Sequence, residues 1–486
     1  EALRRLAGSA SLVAGDGGPG APAFIAWDGP VEAFPVERAE ARSTGKGHFI
    51  AIPENHGKPA DAEIGKRPTG SAGLLARPDG RAPASAREQV LGRDICESVG
   101  TTMPFLPSGG PGGPRSQWGT LEDACLQRNP TLNGWPAGLR GGAFVQLDYE
   151  FPVGAWAEPL APWRNPPGRL WRIERLLRYD PGRPPTLWAV DAAMLAAARA
   201  DLRRPPQAWD DPRPHEALRP AWDAAGHRRR VEAVREAIAR GDLFQANLTV
   251  RFAGRLAGGR HRDLAIWERL RARAPAPYAL LLRDGARSVI SHSPECFLRR
   301  RGEQVTSQPI KGTRPRGAPA TRAELLACAK DNAELAMIVD LMRNDLGRVA
   351  VPGSVRVENA ARVVDLPYVH HLVADLSARL RPGTTTADLL AATFPAGSIT
   401  GAPKIAAMRL IRDLEAGPRG PYCGAFGWLG GDDADLAVAI RTLVLDGDDL
   451  RLDAGGGIVA DSDGDAEWRE ALAKAGPMLA AAGGAT

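Results

Sequence analysis

Gly424-Ala-Phe-Gly-Trp-Leu429, Leu436-Ala-Val-Ala-Ile-Arg-Thr-Leu-Val-Leu445 and Arg451-Leu-Asp-Ala-Gly-Gly-Gly-Ile458 follow one another at hairpin-like spacing. All three are apolar runs of strand length, and each reads as a strand. An Ala-rich helix over Ala466–Ala482 closes the chain. Working back, Ala402–Glu415 and Thr386–Phe394 read as helices, with Pro403 in a first turn and Thr385 or Thr386 as an N-cap. Leu366–Leu380 mixes strand and turn, Ser354–Val364 is strand-rich and Arg322–Leu346 is mainly helical. Ser288–Ser291 and Cys296–Arg301 are two arms around a kink at Ser293-Pro-Glu295. Tyr278–Leu282 and Gln245–Phe252 are strands, while Asp263–Arg273 and Ala221–Arg240 are helices, the latter ending at Gly241. Strands in succession with helices between them predict an α+β fold of largely antiparallel sheets, not a doubly wound one.

The 486 residues suffice for two to four domains or one large interleaved body. The run 203–220 is rich in proline and marks a boundary, with a region 1–202 before it and a region 221–486 after it. In the first region only Ala143–Phe151 and Pro185–Val190 read as strands and Asp191–Leu202 as a helix. Ala14–Pro22 and Pro107–Pro114 read as loops, and His48 and His56 as solvated loop residues. A net charge of +5, no lysine-rich run and few interleaved aromatics argue against nucleic acid as a partner. Five widely spaced cysteines without Cys-x-x-Cys argue against disulfides or zinc and for a reducing cytoplasm. No run of 18 apolar residues predicts a membrane span.

The stretch Ser307-Gln-Pro-Ile-Lys-Gly-Thr-Arg-Pro-Arg-Gly317 carries Lys311, one of only 7 lysines among 62 basic residues. A desolvated lysine can lose its proton and act as a nucleophile, which arginine cannot. Lys311 is therefore either a surface residue in a Gly/Pro-rich loop or an amine kept for chemistry. Gly312-Thr-Arg314 beside it offers N–H groups, a hydroxyl and a guanidinium to a carboxylate.

Other residues read in the same double way. Glu467, Glu470 and Lys474 fall on one helix face, and Glu334 adjoins the stripe Leu335, Ile338, Val339 and Met342. They are surface charge pairs or, together, carboxylate ligands for a hard cation such as Mg²⁺. Gly455, Gly456 and Gly457 are a hinge, or backbone that approaches a ligand closely. Gly397-Ser-Ile-Thr-Gly-Ala-Pro-Lys404 opens a helix, so Ser398 is a cap or part of an anion site. Arg441 lies in an apolar strand and needs an anion partner. Of His370 and His371, only one can face inward from an extended segment. Glu295, if desolvated, keeps its proton and can act as an acid. Together these describe a pocket for a small polycarboxylate that loses a leaving group.

From about Ala221 onward the sequence resembles the chorismate-utilising enzymes. The resemblance rests on 241–249 (Gly-Asp-Leu-Phe-Gln-Ala-Asn-Leu-Thr), Ser293-Pro-Glu295 and the lysine loop. It rests also on Val339-Asp-Leu-Met-Arg-Asn-Asp-Leu-Gly-Arg-Val349, 397–404, Gly420-Pro-Tyr-Cys-Gly424 and Gly455-Gly-Gly-Ile-Val-Ala-Asp-Ser462. Within the family it is most similar to the component I branch that makes aminodeoxychorismate, because the anthranilate branch usually has alanine where Lys311 stands. The resemblance implies two interleaved subdomains of antiparallel sheets with helices outside. It implies Mg²⁺ held by Glu334 and Glu470 with Glu467 nearby, and carboxylate sites lined by Arg441, Tyr422, Gly455–Gly457, His371, Ser398 and Lys474, with Gly312-Thr313-Arg314 adjacent. It implies Lys311 as covalent nucleophile and Glu295 as proton donor, with chorismate as substrate and ammonia from a glutamine amidotransferase subunit. No nucleophile-elbow cysteine motif of such a subunit is found in this chain. The product would be 4-amino-4-deoxychorismate for p-aminobenzoate and folate synthesis. The rivals are an anthranilate-forming component I and an inactive scaffold for an amidotransferase. Residues 1–202 resemble the family only loosely, at Gly141–Glu150, which leaves a tryptophan site beside Pro277-Tyr278 open.

Overall fold

The computed structural model describes residues 2–9, 11–16, 23–27, 30–33, 45–46, 143–151, 168–179, 184–316, 321–367 and 369–483. Pro107–Pro114, His48, His56 and most of Ala14–Pro22 lie outside the described residues.

Two 11-stranded sheets carry the fold, and every pairing among the described strands is antiparallel. The first runs in space through Gly401–Ala402, Gln245–Leu256, Asp449–Ile458, Thr442–Asp446, Arg287–Ser293 and Tyr278–Asp284. It continues through Ser11–Asp16, Ala23–Trp27, Arg175–Tyr179 and Thr186–Ala189. The second runs through Ile310–Pro315, Val369–Arg379, Gln304–Gln308, Cys296–Arg301, Asp433–Val438 and Ala425–Gly430. It continues through Ala143–Leu147, Gly168–Arg172, Pro30–Ala33 and Gly45–Lys46. Both sheets take strands from each end of the chain, so the α+β expectation and the interleaving hold. The proline-rich run is only partly a connector. Its residues Pro214–Pro220 form an edge strand on Gln245–Leu256, a position where missing N–H groups are tolerated.

The hairpin-like C-terminal runs hold one surprise. Leu436–Leu445 is two strands, Asp433–Val438 in the second sheet and Thr442–Asp446 in the first. The kink at Ser293-Pro294-Glu295 does the same in reverse: Arg287–Ser293 lies in the first sheet and Cys296–Arg301 in the second. The two crossings run side by side. Ser291 pairs with Thr442 on one side and Cys296 with Ala437 on the other. Between them His292 N donates to Arg441 O at 3.0 Å, and Val438 N to Glu295 O at 3.1 Å. Arg441 takes φ 51 to make the turn, an uncommon conformation for a side-chain-bearing residue that the packed surroundings must enforce.

Helices form where the caps allow them. Thr385 and Asp388 make a reciprocal capping box for Thr386–Thr393, and Asp463 caps Gly464–Ala481. Lys404–Leu414 starts two residues later than its apolar pattern implies, with Pro403 outside it as N-cap. Leu366–Leu380 does mix turn and strand: Leu366 N donates to Val369 O at 2.9 Å across the turn, and Val369–Arg379 then runs as one strand with which three others pair. The main apolar core draws on both sheets, through residues such as Val250 and Leu281 from the first and Leu436 and Phe426 from the second. A smaller cluster packs helices Ala224–Ala239 and Lys404–Leu414 on the strand Gln245–Leu256. No helix among the described residues is long and apolar enough to cross a membrane.

Candidate active site

The lysine loop is an edge strand, Ile310–Pro315, bulged between Lys311 and Thr313. Gly312 makes that bulge at φ 65, and a Cβ there would lie 2.8 Å from the Asp331 and Leu325 side chains. The bulge turns Lys311 inward. Its Nζ lies 3.6 Å from Glu334 Oε2, with both side chains largely buried. Burial pushes the amine below its usual range and Lys474 adds to this, while Glu334 and Glu295 pull the other way.

Strand Asp449–Ile458 supplies the floor. A Cβ on Gly457 would lie 2.1 Å from Gln245 Nε2 and 3.2 Å from Lys311 Nζ. A Cβ on Gly456 would lie 3.3 Å from Glu467 Oε2 and Glu470 Oε1 and 3.6 Å from Lys474 Nζ. Lys474 Nζ pairs with Glu470 at 2.6 Å and donates to Gly455 O at 2.9 Å. Gly455 is a packing residue: its Cβ would lie 1.9 Å from Leu248 O on the adjacent strand. Gly455→Ala is expected to lower stability by about 1–3 kcal/mol, since backbone has to move. Thermal melting of the variant checks it, and an unchanged melting temperature would contradict it.

Glu295 is buried at the crossing, and Ser398 Oγ donates to its Oε1 at 2.5 Å. Burial pushes this carboxyl up to about 7, against the Ser398 bond and the Lys311 charge, which lower it. Ser398 is therefore occupied by a protein carboxylate rather than free for an anion. His371 is the inward member of its pair: Thr313 Oγ1 meets its Nδ1 at 2.9 Å, and its buried Nε2 has no partner among the described residues. Burial and then Arg441 push it down to about 3, so it is a neutral imidazole facing that arginine. His370 faces Asp365 at 2.7 Å.

Arg441 has no carboxylate partner among the described residues, and burial alone lowers its pKa. A half-buried guanidinium without a counter-charge is costly and favours an anionic ligand. Arg441 sits in the turn between sheets, not in the strand interior that its sequence pattern implied, within electrostatic reach of His371 and His292. Arg314 is instead tied to Asp331 at 2.8 Å. Tyr422 is buried beside Cys423, Arg419 and Asp453, outside the contacts that join Lys311, Glu334, Gln245 and the glycines.

Among the described residues no three His, Cys, Asp or Glu side chains close into a ready-made metal cage. The carboxylates still fit a cation that keeps water and takes one or two protein ligands. Glu467 and Glu470 converge on Gly456, and Ser462 Oγ holds Glu467 Oε1 at 2.7 Å, leaving Oε2 turned to the glycine. Burial and the neighbouring Glu470 charge hold the Glu467 carboxyl above its usual range. Burial also acts on Glu470, but Lys474, Lys330 and Lys311 together bring it below.

Two contributors had not been singled out. Gln245 is buried at 1% exposure with an Oε1 that has no partner among the described residues, directly beside Lys311 across Gly457. In the sequence it stood only as one residue of the 241–249 motif, at the start of an apolar strand. Lys330 lies 4.0 Å from Glu467, so each of the three glutamates faces one of the scarce lysines.

The family model for chorismate binding enzymes matches residues 114–480, across both crossings and all the site elements. The chain belongs to the chorismate-binding enzyme family. Anthranilate synthase component 1 of Streptomyces coelicolor is 37% identical over 448 residues, covering 89% of this chain and 82% of that protein. Aminodeoxychorismate synthase component 1 of Salmonella typhimurium is 44% identical over 247 residues, 49% of this chain and about half, 53%, of that protein. The crystal structure of anthranilate synthase component I from Streptococcus pneumoniae TIGR4 shares the fold at TM-score 0.60 and 31% identity. The match covers 70% of this chain and 80% of that one. The chorismate-binding chain is thus similar to two kinds of component I that differ in product.

Proposed function

We propose that this chain is an aminodeoxychorismate synthase component I that aminates chorismate at C4 through a covalent adduct on Lys311. The observation that carries the reading is a largely buried amine whose charge reaches a buried, protonatable carboxyl, Glu295, with Arg441, which has no carboxylate partner among the described residues, acting on His371 beside Thr313. The Lys311 amine attacks ring C2 as the C4–O bond breaks. Glu295 gives its proton to the departing hydroxyl, which leaves as water, and the amine sheds one proton. Ammonia then forms the C4–N bond, expelling Lys311 from C2 and restoring the free amine. Arg441, with neutral His371 leaving its charge unopposed, binds a carboxylate. Gly456 and Gly457 let the substrate approach the strand, and Gln245 faces the reacting amine. Glu334, Glu467 and Glu470 would hold Mg²⁺, which when bound supplies a counter-charge to the ring carboxylate. Such a reading places the protein in the cytosol, upstream of p-aminobenzoate and folate.

Anthranilate formation is the second reading, favoured by the Streptomyces coelicolor relative that covers most of the chain. Incubation with chorismate, Mg²⁺ and ammonium separates them: aminodeoxychorismate supports the proposal, anthranilate replaces it, and no product favours a scaffold. The chain alone is expected to use ammonium salts and not glutamine, with glutamine use restored by an amidotransferase subunit. Efficient glutamine turnover by the pure chain would overturn that. Glu295 must be protonated to act, and its pKa is about 7, so kcat/KM should fall as pH rises through that region. Rates at fixed free ammonia check this, and a Glu295→Gln profile that keeps the same alkaline limb would reject it.

A further inference from the structure

Lys404 belongs to a motif that the proposed chemistry leaves without a task. We infer that the buried Lys404–Asp345 pair is a positioning device, closing the base of the 394–403 loop so that Ser398 stays on the Glu295 carboxyl. The inference rests on the reading of Glu295 as proton donor.

Lys404 opens the helix Lys404–Leu414, and Thr393 ends the helix Thr386–Thr393. One ammonium spans the two ends: Lys404 Nζ donates to Thr393 O at 2.8 Å and to Asp345 Oδ2 at 2.6 Å. Asp345 sits on Ala329–Gly347, the helix that also carries Glu334. The loop rests on that same helix a second time, because a Cβ on Gly397 would lie 2.7 Å from the Leu341 side chain. Between these supports Thr400 Oγ1 donates to Ala396 O at 3.0 Å and shapes the turn that presents Ser398.

Lys404 is 7% exposed and Asp345 3%. Two charges buried so deeply cost about as much desolvation as they return in attraction, so stability is a weak reason for the pair. Fixed register is the better reason. A compact ammonium on an unbranched stem meets the carboxylate and the carbonyl through one atom, with less bulk to place between two helix ends than a guanidinium.

The groups facing Glu295 are the Ser398 hydroxyl, the Lys311 amine, the backbone at Ile310 and the neighbouring Cys296. A hydroxyl donated to the carboxylate favours its charged form, so losing it should raise the Glu295 pKa and free the carboxyl to rotate.

The test compares Ser398→Ala, the double variant Asp345→Asn with Lys404→Met, and all three changes together. The double variant removes both charges and leaves neither buried alone. The readouts are melting temperature, kcat and KM, and the alkaline midpoint of kcat/KM at fixed free ammonia. Ser398→Ala should lower kcat ~10-fold and move the midpoint up by about half a pH unit or more, with KM little changed. The double variant should do the same, and the triple variant no more than Ser398→Ala alone. A double variant whose midpoint stays put while Ser398→Ala moves it overturns the inference. So does a triple variant whose losses multiply. A Ser398→Ala midpoint that does not move sinks the role of Glu295, and the inference with it. If the double variant melts below assay temperature, Asp345→Asn alone is judged by the same criteria, since Lys404, already held below its usual range by burial, can shed its proton once the carboxylate is gone.

Discussion

Lys311→Ala should cut amination at C4 by ~10³-fold or more, because on the proposed reading it removes the nucleophile rather than a binding contact. The amine sits 3.6 Å from Glu334 and against Gly457, where burial weakens its hold on a proton. Chorismate binding should survive, since Arg441, Lys474 and the glutamates remain. Without the lysine a slow reaction of ammonia at C2 should become measurable. In the parent protein, withholding ammonia should leave a ring adduct on Lys311 that mass spectrometry of the intact chain detects. Full amination by the Lys311→Ala variant, with no adduct in the parent, would reduce Lys311 to a binding residue.

Glu470→Gln should have an effect of similar size through a different route. The Glu470 carboxylate is kept ionised by Lys474 at 2.6 Å, and with Glu467 it faces Gly456. The amide keeps the shape but not the charge, so Lys474 loses its partner and the pair of carboxylates becomes one. Turnover should fall ~10²–10³-fold at any Mg²⁺ concentration while the melting temperature holds. Calorimetry provides a readout independent of activity. Chorismate binding should tighten with Mg²⁺ in the parent and lose that dependence in the variant. Normal turnover with the metal chelated would show that these glutamates serve something else.

Much of the site was legible because its residues sit in short motifs whose chemistry is local. Lys311 stood out by its rarity, and Glu467, Glu470 and Lys474 by sharing a helix face. Arg441 was legible as a charge that needed an anion but not as a turn residue. Leu436–Leu445 reads as one apolar run interrupted only by Arg441 and Thr442, since strands of both sheets present apolar residues to one shared core. An apolar run reports burial, and burial is the same on either side of a hop between sheets. Ser398 was read as a cap or anion donor because its partner, Glu295, is 103 residues away. Gln245 was passed over because an unsatisfied buried acceptor exists only once its surroundings are known.

The chemistry-bearing residue types, their motifs, the antiparallel α+β class and the chorismate-binding family were all determined by the sequence alone. Each depends on residue identity and short spacing, which the chain carries in one dimension. Tertiary structure alone decided which charges are neutralised and which are left for a ligand. Arg314 is tied to Asp331 while Arg441 has no carboxylate partner among the described residues, a contrast that no property of the two arginines foretells. The pairing of sheets brings the two crossings side by side, and with them Glu295 and Arg441, while Lys311 reaches Glu295 from the edge strand. Desolvation then sets their proton affinities, and desolvation is a property of the packed whole.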